Sequence, residues 1–394
     1  MNAAAATFDA LRQHFVVSPR QLDRPFCLAV ATLMALGLVM VSSASVAVAE
    51  SMTGNPMYYF FRQLIYTAMG LAVGAGLFCV PMSVWARNGF WLLALALFLL
   101  MLVLIPGVGR EVNGARRWIH LPLFNLQASE PARLALVVYL AGYLVRRQAE
   151  FQNSLNGLMR PLFPIGLACG LLLLEPDFGA AAVLAGVVFL MLFLAGARLL
   201  YLFLPVLAAG GAFAYLATSQ AYRLRRILSF RDPFADIENT GWQLSQSLIA
   251  IGRGEWFGVG LGNSVQKLLY LPEQYTDFIY AIYAEEFGLA GTVVLLALYG
   301  VLSWRGFEIG RVAEQQGERF RAYLCYGLTG WIGGQAMLNL AVNTGLLPTK
   351  GLTLPLLSYG GSSLITFCAM LALILRVDHE NRRAVAGRPT GVRT

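Results

Sequence analysis

"FCLAVATLMALGLVMVSSASVAV", Phe26–Val48, runs for 23 residues without a charged side chain. A helix crossing the hydrocarbon of a bilayer needs about 20 such residues, so this stretch reads as a membrane span. It is too long, and starts too far into the chain, for the apolar core of a cleavable leader. Residues 1–24 before it are polar and basic. The run is therefore expected to persist as an anchor.

Working outward, comparable runs fall at roughly 59–81, 89–106, 131–146, 161–175, 178–197, 199–218, 277–303, 320–344 and 355–376. With the first they make about ten transmembrane helices, an all-α polytopic membrane protein. Composition agrees: of 394 residues, 58% are hydrophobic and 13% charged, against roughly 25% charged in soluble chains. An outer-membrane barrel would show short alternating strands, and these runs are long and continuous.

The net charge is +8, and only Lys267 and Lys350 are lysines. That balance suits cytoplasmic anchoring and anionic ligands. Nucleic acid is not suggested, because no basic stripe carries interleaved aromatics. The positive-inside rule orients the chain. With both termini cytoplasmic, the inner segments collect Arg87, Arg146, Arg147, Arg160, Arg198, Arg305 and Arg311, and segment 49–58 outside has none. The expected organisation is a cytoplasmic tail 1–25, one transmembrane domain 26–376 and a cytoplasmic tail 377–394. A long periplasmic loop, 218–276, lies between the seventh and eighth helices.

Cys27, Cys79, Cys169, Cys325 and Cys368 sit within apolar runs without C-x-x-C spacing and are expected to be small buried hydrophobes. His14, His120 and His379 are too scattered for a metal cluster.

In a chain this poor in acids, "LPEQYTDFIYAIYAEEFG", Leu271–Gly288, carries four of them across one membrane boundary. Thr276 as N-cap with Asp277 in the first turn would account for Asp277 as a helix start. A boundary carboxylate beside a basic loop would equally serve as a general base, with Glu273 sharing the site. Glu285 and Glu286 lie two turns inside, where acids are costly and face the bundle interior. Either they pair with an arginine such as Arg62, or they shape a polar cavity beneath Asp277. The arginines of "YRLRRILSFRDPF", Arg223 and Arg226 among them, read as a headgroup-facing segment or as a pyrophosphate clamp. Arg62 and Gln63 are placed near an outer helix end, where Arg62 either snorkels or meets an anion. Arg116, Arg117, Gln127, Glu130 and Arg133 form a dense polar set around an Asn113–Gly114 turn and a Ser129 helix start. The glycines of "GRGEWFGVGLGNS" follow no strand, so a nucleotide loop is set aside in favour of close backbone approach. "PTKGLTLPLLSYGGSS" reads as irregular chain that is buried or lines a cavity.

Taken together, "NGARRWI", "FNLQASEPARL", "EPDFG", "YRLRRILSFRDPF", "GRGEWFGVGLGNSVQKLLYLPEQYTDF" and "LPTKGLTLPLLSYGGSS" resemble, in order, blocks of the SEDS family (shape, elongation, division and sporulation). The resemblance covers 25–380, and its glycine-rich and PTKG blocks are more like the division members than the elongation members. It implies a ten-helix peptidoglycan glycosyltransferase of the bacterial inner membrane that polymerises lipid II at the outer face. Its implied partners are a class B penicillin-binding protein and other divisome membrane proteins, at the division septum. The family's catalytic acid falls on Asp277. Arg62, Arg116, Arg117, Gln127, Glu130 and Arg133 fall on blocks lining the proposed cavity. Arg133 stands where the family often has Lys, and Ala128 where it often has Pro.

The chemistry this implies needs a base, Asp277 aided by Glu273, and cations for a departing pyrophosphate. Arg62, Arg116, Arg117, Lys267 and the 223–231 arginines are the candidates. With no obvious second nucleophilic carboxylate, inversion at the anomeric carbon is expected. A divalent cation, Mg²⁺ or Mn²⁺, would bridge phosphate and carboxylate, although the sequence offers no dedicated cage. A lipid II flippase and a non-catalytic division scaffold are the rival readings.

Overall fold

Asp23, Ser154 and Asp177 each start a helix, with a side chain that caps the free amides of its first turn. Asp23 accepts a hydrogen bond from the Phe26 amide at 3.0 Å, and Pro25 occupies the first turn. The first helix therefore begins one residue after Asp23. The computed structural model describes residues 22–112, 115–120, 125–203, 205, 207, 210–211, 232–235 and 241–386. Its elements in chain order are α1 (Arg24–Thr53), α2 (Tyr58–Cys79), α3 (Met82–Arg87), α4 (Gly89–Leu104), β1 (Gly109–Val112), β2 (Ala115–His120), β3 (Asn125–Gln127), α5 (Ser129–Arg146), α6 (Gln148–Asn153), α7 (Leu155–Leu174), α8 (Phe178–Leu194), α9 (Trp242–Gly254), α10 (Ile279–Gln315), α11 (Arg319–Asn343) and α12 (Gly361–Ala386).

Among the described residues, α1, α2, α7, α10 and α12 are long and apolar enough to cross a membrane, and α4 and α8 are shorter apolar helices. Phe90, Trp91, Leu95 and Phe98 on α4, with Phe163 and Leu167 on α7, are exposed, as a lipid-facing surface requires. Two helices are more polar inside. α5 buries Glu130 and Arg133, and α11 buries Gln335, Asn339 and Asn343. Intramembrane polar groups face the bundle interior, and these two helices support the site described below.

Several expectations are corrected. The fold is not purely helical: β1, β2 and β3 form an antiparallel sheet, with Arg110 opposite Trp118 and Trp118 opposite Gln127. The run expected to start at 161 starts at Leu155, because Ser154 caps it by accepting from the Gly157 amide at 3.0 Å. Pro161 and Pro164 lie inside that helix rather than at its boundary. The last span starts at Gly361 rather than 355, and the irregular stretch before it is non-helical as expected. Cys325 and Cys368 are buried but Cys79 is exposed, since the last turn of α2 faces outward there. The expected seventh span is helical over 199–203, and most of its remainder lies outside the described residues. So do Asn113, Gly114, His14, Arg223 and Arg226.

The largest departure is in α10. The run from 277 to 303 is read as one span in sequence, yet Gly288, just after Glu285 and Glu286, adopts φ 65° and ψ −160° and breaks the helix. A side chain is disfavoured at that φ, and a Cβ there would lie 2.5 Å from the Gly258 nitrogen. The break leaves backbone groups without helical partners, and the glycine-rich chain after α9 supplies them. The amides of Val259 and Gly260 donate to the carbonyls of Glu285 and Glu286 at 3.0 and 3.1 Å. The amides of Leu289 and Ala290 donate to the carbonyls of Glu255 and Trp256 at 2.9 and 3.0 Å. Broken helices persist in a membrane only where such partners exist. The close backbone approach expected for these glycines is thus an approach to α10.

At the opposite end of the bundle, Asp23 pairs with Arg305 of α10 and Arg382 of α12, and its amide donates to Asp378 Oδ2 at 2.9 Å. Glu380 pairs with Arg321 and Arg376 at 2.9 and 2.8 Å. These ion pairs lock α1, α10, α11 and α12 together.

Candidate active site

Asp277 sits in the turn that leads into α10. The expected helix start is corrected here: α10 begins at Ile279 behind Phe278, and Thr276 does not cap it. The Thr276 hydroxyl instead donates to Glu273 Oε2 at 2.6 Å. What fixes the turn is its row of carbonyls. The Tyr359 amide donates to the Tyr275 carbonyl at 2.9 Å, and Ser358 Oγ donates to that of Thr276 at 2.6 Å. Asn339 and Asn343 of α11 donate to that of Asp277 at 2.8 and 3.1 Å. The side chain takes no part. Among the described residues no hydrogen bond to the half-buried Asp277 carboxylate is formed. It rests against Gly351, whose missing Cβ would lie 3.1 Å from Oδ2.

A carboxylate so placed is hard to ionise. Burial, and after it the charge of Glu273, push Asp277 up to about 7; Arg117 opposes the shift and Asp177 adds to it. Those three charges are therefore its electrostatic neighbours. Arg117 on β2 is held by the EPD turn: Nε donates to the Glu175 carbonyl at 2.9 Å and Nη2 to that of Pro176 at 2.6 Å. Asp177 caps α8 through the Ala180 amide at 3.0 Å and accepts from Gln127 Nε2 at 3.2 Å and Ser129 Oγ at 3.4 Å. Ser362 at the start of α12 binds both ends of β3, accepting from the Gln127 amide at 2.9 Å and donating to the Asn125 carbonyl at 2.8 Å. Glu175 is fully buried and neither carboxylate oxygen has a partner. Burial first, then Asp177, push it up to about 8 against the pull of Arg117, so it is mostly protonated at neutral pH.

The sheet, the EPD turn, the 271–278 turn and the 346–360 segment thus meet around Asp277. Of the residues singled out in the sequence, Asp277, Glu273, Arg117 and Gln127 come together there. Arg62 and Gln63 stand beside them on α2. Gln63 donates to the Ser358 carbonyl at 3.2 Å, and Arg62 lies 5.5 and 5.8 Å from the rings of Tyr58 and Tyr66. The rings of Tyr59, Tyr275 and Tyr359 meet next to them, 4.6–5.6 Å apart.

Four other residues behave differently. Arg116 is exposed and reaches Glu111 at 3.3 Å. Glu130 and Arg133 form a buried pair at 2.6 Å, with the guanidinium 4.7 Å from the Trp331 ring. Lys267 is buried against Glu286 at 2.8 Å. The arginine expected for Glu285 and Glu286 was Arg62; the actual partners are Arg253, at 3.3 Å from Glu285, and Lys267.

Asp177, Glu175 and Lys350 were passed over as site residues. The signal for the first two was a pair of acids within three residues at a span boundary. Lys350 adjoins Gly351, and its amine lies 4.9 Å from the Phe178 ring. Among the described residues no group of three or more His, Cys, Asp or Glu side chains is arranged to hold a metal ion. Asp177 spends its oxygens on Ala180, Gln127 and Ser129.

A family model described as a cell cycle protein, of the FtsW, RodA and SpoVE type, matches residues 24–383. A protein of Alkalilimnicola ehrlichii named probable peptidoglycan glycosyltransferase FtsW is 54% identical over 364 residues, 92% of this chain and 91% of the relative. One of the same name from Thioalkalivibrio sulfidiphilus is 50% identical over 391 residues, 98% of each. Among solved structures, a chain from a peptidoglycan synthase complex, described as coordinating polymerization and crosslinking, superposes with a TM-score of 0.74. It is 31% identical and covers 91% of this chain and 98% of that one. The rod shape determining protein RodA of Thermus thermophilus gives 0.68 at 30% identity, covering 92% and 97%.

Proposed function

The chain belongs to the FtsW, RodA and SpoVE family of cell cycle proteins, and from that premise we infer that it is a peptidoglycan glycosyltransferase polymerising lipid II during septal wall synthesis. One observation carries the chemistry. A half-buried carboxylate, titrating near neutrality, is fixed by its backbone and flanked by an oriented guanidinium.

In the reaction, a hydroxyl oxygen of the acceptor sugar forms a bond to the anomeric carbon of the donor. The bond from that carbon to the pyrophosphate oxygen breaks, and its electron pair leaves with the phosphate. The hydroxyl proton passes to Asp277. A base near the ambient pH is best matched to this work. Arg117 is oriented by two carbonyls and presents its remaining N–H groups to the developing phosphate charge. Arg62 on α2 and Lys350 are further cations beside the turn.

One displacement inverts the anomeric centre. Of the other acids at the site, Asp177 is occupied by three donors, Glu175 is buried with its carboxyl pushed up to about 8, and Glu273 accepts from Thr276 Oγ1, which leaves Asp277 for the base role. A Mg²⁺ or Mn²⁺ ion carried in on the pyrophosphate would add charge neutralisation, and no step above depends on it.

The reading extends to topology and company. It comprises ten spans in one domain over 26–376, both tails cytoplasmic, and the 218–276 segment on the periplasmic side between the seventh and eighth spans. The protein would act in the inner membrane at the septum with a class B penicillin-binding protein and other divisome membrane proteins. The direct test is polymerisation of purified lipid II in proteoliposomes, with and without that transpeptidase. Glycan strands support the reading. Transbilayer movement of labelled lipid II without polymer would replace it with the flippase reading.

A further inference from the structure

Glu285 and Glu286 are completely desolvated, and both spend their charge on one stretch of chain. Glu285 gathers four donors: Ser264 Oγ, the amides of Val265 and Gln266 at 3.0 and 3.3 Å, and Arg253 Nη1 at 3.3 Å. Glu286 Oε1 accepts from Lys267 Nζ at 2.8 Å and from Ser43 Oγ of α1 at 2.7 Å. Lys267 Nζ donates also to Ser43 Oγ at 2.9 Å. The Lys267 carbonyl then accepts from Gln274 Nε2 at 2.7 Å, which reaches the Ala44 carbonyl at 2.9 Å. The Lys267–Glu286 pair therefore closes the chain on itself across a separation of 19 residues. Asp277 stands at the midpoint of that ring, ten residues beyond Lys267 and nine before Glu286.

We propose that Lys267, Glu285 and Glu286 are positioning residues that clasp this ring and set the height of Asp277, and that Lys267 does not touch the substrate. The inference rests on the glycosyltransferase reading. A clasp of this kind acts through shape. Removing one partner strands a buried charge, which distorts the ring, whereas replacing both by apolar side chains of similar length is nearly neutral. A phosphate-binding lysine behaves oppositely, because its charge is the function and no second substitution restores it.

The experiment uses the full-length protein in proteoliposomes with its transpeptidase partner, and reads initial rates against lipid II concentration. The variants are Lys267→Met, Glu286→Met and the double substitution. A wild-type protein that makes no polymer would overturn the glycosyltransferase reading itself, so it is measured first. With an active wild type, each single variant is expected to lose about 10–100-fold in kcat with KM unchanged, the scale of a misplaced catalytic group. The double variant is expected to return to within about fivefold of wild type. A double variant as impaired as Lys267→Met, or a KM raised about tenfold in Lys267→Met, would overturn the proposal and make Lys267 a substrate contact. Ser264→Ala covers the case in which the single variants do not fold. It removes one donor from Glu285 without stranding a charge. It is expected to lower kcat about fivefold at constant KM, and wild-type kinetics there would also overturn the clasp.

Discussion

Replacing Asp277 by Asn separates the chemistry of the carboxylate from its architecture. The residue is held through its carbonyl, by Asn339 and Asn343, and its neighbours through theirs. Asn keeps the shape and disturbs none of these contacts. Loss of a general base costs about 10²–10⁴ in rate, which is about 3–5 kcal/mol of barrier. Stability should move the other way. A carboxyl that titrates at about 7 instead of its ordinary 3.8 is expensive to ionise in the fold, on the order of 4 kcal/mol at neutral pH. The folded state holds that proton more tightly than the unfolded chain. Its contribution to stability is therefore full below 3.8 and is lost as pH rises through about 7. The variant lacks this slope, so its advantage over wild type is absent near pH 4 and greatest at about pH 7 and above. The assays are polymer formation from lipid II and thermal unfolding in detergent at both pH values. A folded variant polymerising within about threefold of wild type would refute the base assignment. Equal melting temperatures at neutral pH would refute the electrostatic argument.

Wild-type kcat/KM is expected to rise with pH through about 7 as Asp277 deprotonates, read from initial rates across a buffer series. Arg117→Lys cannot reproduce the two-carbonyl grip of the guanidinium and is expected to cost about 10–100-fold in kcat/KM while the protein stays folded. Gly351→Ala places a Cβ 3.1 Å from Asp277 Oδ2 and is expected to lower kcat about tenfold with little change in thermal stability.

The helices were legible because lipid demands unbroken apolar runs, and those are written into the local sequence. The β1–β3 sheet was not, because its strands are three to six residues long within a polar connection. The break at Gly288 was hidden for a different reason. The helical pattern carries straight through Gly288 in sequence, and the partners that make the break tolerable lie about 30 residues upstream. In the site, Asp277 stood out as a boundary acid in an acid-poor chain. Glu175 and Asp177 lie in sequence between two apolar runs, and their proximity to Asp277 arises only when the EPD turn meets the 271–278 turn. Lys267 looked like a free cation in a basic loop because its counter-charge lies inside a helix, 19 residues away.

The exchange of peptide hydrogen bonds at Gly288 bears on biogenesis. Four carbonyl and amide groups of α10 find their partners only when the chain following α9 has docked. Until then that helix would present bare polar backbone to oil. Insertion of this part of the protein therefore cannot finish one helix at a time: the two pieces must enter as a pre-paired unit, or wait together in the translocon until they join.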